Sequence, residues 1–137
     1  MSMISASQVK ELREKTGLGL MDCKKALQEA NGDIDLAIEE LRKTSGIKAS
    51  KKSGRSAADG LIGIEMQDQN IFMVEVNCET DFVARDDSYI SFTKEVLEIY
   101  SKNPDMSLEQ LLETGIEDSR ERLVQKLGEN IIVRRMA

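Results

Sequence analysis

Apolar positions along this chain follow two periods, a helical one first and an alternating one later. Between residues 4 and 43 the spacing is helical. Ser5 stands three residues before Gln8, the spacing of a capping box, and Ile4 and Val9 are placed to form the accompanying hydrophobic staple. Val9, Leu12 and Arg13 follow, and Gly17 supplies the left-handed stop that a β-carbon resists. Cys23, Ala26, Leu27 and Ala30 then mark one stripe of a second helix ended by Gly32. Asp33 caps a third, on which Ile34, Ala37, Ile38 and Leu41 repeat the spacing. Three short helices with matching stripes predict a compact bundle.

The next stretch, 42–55, carries Arg42, Lys43, Lys48, Lys51, Lys52 and Arg55 with no acid, and reads as a solvated linker, in part helical. It has no interleaved aromatic on which a base could stack. The period then changes. Ile62, Ile64 and Met66 alternate with Leu61, Gly63 and Glu65; after 67–70 the alternation resumes in Phe72, Val74 and Val76, which predicts a β-hairpin. Asp87 is placed to cap a helix with Tyr89, Phe92, Val96 and Ile99 that stops near Pro104. Ser107 and Gln110 offer a second capping box, opening a short helix with Leu108, Leu111 and Leu112. A longer one follows with Ile116, Leu123, Val124 and Leu127, closed by Gly128. Ile131, Ile132 and Val133 read as a strand able to pair with the hairpin. The fold class is therefore α+β, with a helical module at 1–43, a basic linker at 44–58 and a small antiparallel sheet packed with helices at 59–137.

Composition removes most chemistry from this frame. With 137 residues the chain has room for one ordinary domain or two small ones. Its 25 acids against 19 bases give a net charge of −6, the wrong sign for wrapping nucleic acid. It has no His, the commonest general base and metal ligand, and its two cysteines, Cys23 and Cys78, can neither close a zinc site nor form a disulfide framework. Both read as core residues. No catalytic residue, metal or cofactor is expected, no phosphate-cradling glycine loop is present, and no apolar run or leader pattern argues against a cytoplasmic, membrane-free setting.

Two strings remain as candidate contact sites. Asn77-Cys78-Glu79-Thr80-Asp81-Phe82-Val83 runs from an apolar strand into polar residues and presents Asp81-Phe82 before a helix. Phe82 there either caps the core or is an exposed anchor for a partner. In Thr16-Gly17-Leu18-Gly19-Leu20-Met21 three apolar residues crowd one tight connector. Either Leu18 packs inside and the others are incidental, or Leu20 and Met21 form an apolar patch with a flexible Met. The acidic pairs, such as Asp86-Asp87, read as solvated helix faces, which leaves a carboxylate-metal hydrolase without a ligand set.

The strings from Lys10 to Gly17, from Gly19 to Leu27, Asn31-Gly32-Asp33, Val74 to Ala84 and Gly128-Glu129-Asn130-Ile131 strongly resemble the translation elongation factor Ts family. The resemblance runs from about Ser5 to Arg135. It implies a ubiquitin-associated-like three-helix module followed by the first half of a core, and a guanine-nucleotide exchange factor that expels GDP from elongation factor Tu, binding its GDP-bound and nucleotide-free forms. Partner contacts carried over are Arg13, Leu20 and Met21 on the helical module, Thr80, Asp81, Phe82 and Val83 at the corner, and Leu127 before the Gly-Glu-Asn string. Phe82 is then expected to wedge between partner helices and Asp81 to disturb the magnesium environment. The alternative is a ubiquitin-associated-like protein-binding module without exchange activity. Family members continue into a second, related half, whereas this sequence stops at Ala137. Lower affinity is expected for such a piece, together with self-association through the exposed edge of the last strand.

Overall fold

The computed structural model describes residues 3–137; residues 1 and 2, included in the expected helical module, lie outside the described residues. Helix α1 (Ala6–Thr16) opens with the capping box read from the sequence: Gln8 N–H donates to Ser5 Oγ at 3.2 Å and Ser5 N–H to Gln8 Oε1 at 2.9 Å. It ends at Gly17, whose φ of 71° lies in the left-handed region that favours glycine. Helix α2 (Leu20–Glu29) and helix α3 (Ile34–Lys52, capped by Asp33) complete the bundle. Their facing stripes close a small core of Val9, Leu12, Leu18, Cys23, Ala26, Leu27, Ala37 and Leu41.

Helix α3 outruns its apolar stripe. The basic segment expected as a linker from residue 44 is helical as far as Lys52, and only 53–58 connect without regular structure. Small residues permit this: Ser45 and Ala49 are buried where α3 lies along helix α7 (Glu117–Leu127). Ser45 Oγ donates to Gln125 Oε1, and Gln125 Nε2 reaches Asp22 Oδ2 of α2 at 3.3 Å. Ala49 belongs to the second core while Ala37 and Leu41 belong to the first, so one helix joins both.

That second core lies under a three-stranded antiparallel sheet in the order β1 (Asp59–Gln67), β2 (Asn70–Cys78), β3 (Ile132–Met136). The predicted hairpin is present, with Gln67 opposite Asn70 and Asp68 at φ 56° in the tight turn. The predicted last strand pairs with β2 from Ile132 onward. Phe72, Val74 and Val76 face inward against helix α5 (Asp87–Lys102), whose Tyr89, Phe92, Val96 and Leu97 are buried; the Phe72 and Tyr100 rings meet edge to face at 5.4 Å. Their neighbours across the hairpin are Glu65, Gly63 and Leu61, so the alternate residues Ile62, Ile64 and Met66 turn outward beside Ile71 and Met73. At Gly60, with φ at 150°, the chain passes so close to β2 that a β-carbon would overlap the Val76 carbonyl oxygen. That carbonyl also accepts the buried Tyr89 hydroxyl at 2.5 Å.

Asp87, expected to cap α5, is instead its first residue. The cap is Asp86, whose Oδ1 accepts from Ser88 N–H at 2.8 Å and Tyr89 N–H at 3.3 Å. Burial of Tyr89 fixes the register, so the second of two adjacent aspartates is drawn into the helix. Helix α6 (Leu108–Leu111) has its predicted capping box, and Gly115, at φ 92°, breaks the passage through Leu112–Ile116 into α7.

Candidate partner-binding site

Between β2 and α5 the chain turns through a single helical turn, α4 (Asp81–Ala84). Four residues cannot sustain a helix alone, because nucleation fixes several dihedrals for one hydrogen bond. Burial of one side of the turn holds it: Ala84 is buried and Val83 packs against the larger core. Asp81 and Phe82 therefore point outward, Phe82 with 81% of its surface exposed, the most of any large apolar side chain among the described residues except Met3. Asp81 meets Arg85 at 3.6 Å across an exposed pair, an interaction of little energetic weight.

The entry to this corner is tied by side-chain hydrogen bonds. Thr80 Oγ1 caps α4 by accepting from Val83 N–H at 3.4 Å and donates to Glu129 Oε2 at 2.7 Å. Glu129 Oε1 accepts from the N–H groups of Thr80 at 3.0 Å and Glu79 at 3.1 Å. Glu79 returns the bond, its Oε1 accepting from Asn130 N–H at 2.9 Å, with the Arg55 guanidinium 3.5 Å away. The buried Asn130 side chain donates to the Arg55 carbonyl at 2.9 Å, fastening the connector after α3 to the same cluster. Cys78 Sγ donates to the Thr80 carbonyl at 3.1 Å, and burial pushes this thiol's pKa up. Leu127, two residues before Glu129, is half-buried on the larger core.

The other candidate residues lie on the helical module. Leu18 is buried in the small core, whereas Leu20 and Met21 stand in the first turn of α2 with 52% and 72% of their surfaces exposed. Together with Val9, Arg13 and Lys24 they line a shallow groove between α1 and α2, apolar along its floor and cationic at its rim. The structure thus separates the sequence-derived residues into two groups, one on the module and one at the corner. The sequence places Glu79 in the corner string, Arg55 in the basic stretch, and Glu129 and Asn130 in a string known only by resemblance; no local spacing links these positions, bonded across fifty or more residues, into one cluster. Among the described residues no group of three or more His, Cys, Asp and Glu comes together as a metal site. No helix among them is long and apolar enough to cross a membrane.

Residues 79–137 match the family model for elongation factor TS. The chain is also 55% identical over 137 residues to elongation factor Ts of Hahella chejuensis, an alignment covering 98% of this chain and 48% of that protein. Nearly the whole chain is thus similar to elongation factor Ts. Elongation factor Ts of Marinobacter nauticus is 54% identical over 138 residues (99% of this chain, 48% of that protein), and that of Salmonella newport 52% over 139 (100% and 48%). The chain spans about half the length of the curated relatives it matches. Similarity over essentially the whole chain means that the helical module, the corner and the 127–130 string all lie within sequence shared with the elongation factor Ts relatives.

Proposed function

We propose that this chain is a guanine-nucleotide exchange factor that promotes GDP release from elongation factor Tu in the cytoplasm during translation elongation. It acts by protein-protein binding alone, without catalytic residue or cofactor, and engages the GDP-bound and nucleotide-free GTPase without touching nucleic acid or membrane. The observation that carries the reading is the exposed Phe82 beside Asp81 on a corner whose entering residue, Thr80, is held by Glu129. An exposed aromatic costs the free protein apolar hydration, which burial against a partner recovers.

Exchange then follows from negative coupling. The chain and GDP each bind the GTPase, and each weakens the other by the same factor. Every tenfold weakening of GDP requires about 1.4 kcal/mol of differential contact. Burial of Phe82 between partner helices, with the Asp81 carboxylate turned toward the nucleotide's magnesium, supplies contacts that the GDP-bound state cannot accommodate fully. Arg13, Leu20 and Met21 hold the helical module on the same partner, while Thr80, Val83 and Leu127 flank the wedge. Both β1 and β3 are edge strands, and the free edge of β3 gives the chain a route to self-association.

The test is to mix the chain with elongation factor Tu loaded with fluorescent GDP and follow release by stopped flow. Accelerated release that rises with chain concentration supports the proposal. Binding seen by calorimetry without acceleration would favour the protein-binding module instead.

A further inference from the structure

We infer that Glu129, which lies outside the proposed contact surface, is the positioning residue that sets the aim of the Asp81-Phe82 corner; the inference rests on the exchange reading above. Neither outward side chain is held by its own contacts, since the bond of Asp81 is to exposed Arg85 and Phe82 is mostly solvated. The direction of α4 is therefore inherited from Thr80, the residue that enters it. Thr80 has an amide, a hydroxyl and a carbonyl to offer. Glu129 takes the amide through Oε1 and the hydroxyl through Oε2, at 3.0 and 2.7 Å. The carbonyl receives Cys78 Sγ and Ala84 N–H.

A two-point grip of this kind fixes orientation as well as position, because the two carboxylate oxygens hold the main chain and side chain of one residue together. Charge-assisted bonds are also stronger than neutral ones. It further fixes the hydroxyl proton on the side of Glu129, leaving a lone pair of Oγ1 to receive Val83 N–H and start the turn. Glu129 is aimed by its own surroundings: Gly128, at φ 76°, ends α7, and the next residue, Asn130, is tied by its N–H to Glu79 Oε1. Each carboxylate thus accepts from the backbone of the opposite segment, and the strand end and the helix end are strapped crosswise.

The chain has no Trp, so Phe82→Trp gives a single fluorescent reporter at the tip. We compare parent, Glu129→Ala, Glu129→Gln and Thr80→Ser by time-resolved anisotropy of the introduced indole in that background, and parent and the Glu129 variants with Phe82 intact by thermal unfolding and by GDP release from elongation factor Tu over a range of chain concentration. In Glu129→Ala, the indole is expected to gain nanosecond motion and the saturating release rate to fall about tenfold, while half-saturation moves less than about threefold, because docking precedes the wedge. Glu129→Gln keeps an acceptor for the two amides but presents an NH2 group to the hydroxyl, and should give a smaller change in the same direction. Thr80→Ser keeps the hydroxyl that Glu129 grips and should leave the indole anisotropy at the parental value. Should Glu129→Ala fail to fold, Glu129→Gln decides by the same readouts. Unchanged indole motion in folded Glu129 variants would overturn the inference. So would lowered thermal stability with parental anisotropy and release, which marks a purely structural residue. If the chain with Phe82 intact releases no GDP, the exchange reading fails, and the indole anisotropy still decides whether Glu129 aims the corner.

Discussion

Leu20 and Met21 reach solvent from the first turn of a ten-residue helix, whereas Phe82 reaches it from a helix of four. On α2 the backbone needs no outside help. Cys23, Ala26 and Leu27 fill the stripe that faces α1 and α3, and apolar residues off that stripe remain on the surface. The corner is the reverse case: its backbone is set by carboxylates and amides drawn from segments fifty residues away. A contact surface made of surplus apolar side chains on regular helices tolerates motion of its surroundings. One made of a single aromatic on a short turn depends on its bracing.

The comparison can be broken most decisively through the two thiols, since Cys23 sits in the small core and Cys78 behind the corner, both buried and both with pKa pushed up by burial. At pH 8 an aromatic disulfide reagent should label each at least about a thousandfold more slowly than a free cysteine, because labelling requires opening. As α3 joins the cores, the two rates should agree; much faster labelling of Cys23 would show that the module opens alone.

Next in size is Phe82→Ala, expected to slow saturating GDP release about 30-fold or more, the weight of an interface hot spot, with the unfolding midpoint unchanged within about 1 °C. A cooperative loss of folding would place Phe82 in the core after all. Leu20→Asp combined with Met21→Asp should weaken calorimetric binding to elongation factor Tu about tenfold while leaving circular dichroism and the saturating release rate unchanged, which separates grip from wedge.

The smallest effect concerns Glu121, at the joint between α3 and α7, where its carboxylate lies against Gly46. Burial, offset by Arg120 and reinforced by Glu117 and Asp118, raises its pKa above the ordinary carboxylate value. The folded state therefore holds this proton more tightly than the unfolded chain, and stability is lost as pH rises from the unfolded value through the folded one. Glu121→Gln should raise the unfolding midpoint by about 1–2 °C at pH 7 and by nothing near pH 4, where the parent carboxyl is already neutral. A larger gain at pH 4 would reverse the assigned sign.

Period and capping made most elements legible in the sequence, including both capping boxes, the hairpin and the final strand, because these depend on residues three or four apart or on strict alternation. The continuation of α3 to Lys52 was less legible, since Ser45, Gly46 and Ala49 carry little apolar signal and are chosen for fit against α7. At the corner the string around Asp81 and Phe82 stood out, but its residues alone left Phe82 undecided between core and surface. Its exposure follows from Val83 and Ala84 taking the inward positions, which their residue types alone do not decide, and its bracing from Glu129, which no local window contains.

The length of α3 has one more effect. Nineteen helical residues measure about 28 Å, and because α3 is packed at both ends it holds the module and the corner at a nearly fixed span. A flexible tether of the same length would spread its two ends over many separations and dilute the second contact once the first had formed. A stiff strut concentrates the second site where the partner must present it, which raises the effective concentration for a partner of matching span. For a partner of the wrong span it lowers that concentration toward zero, so, if the two proposed surfaces meet one partner, the helix would act as a gauge for its size as well as a connection.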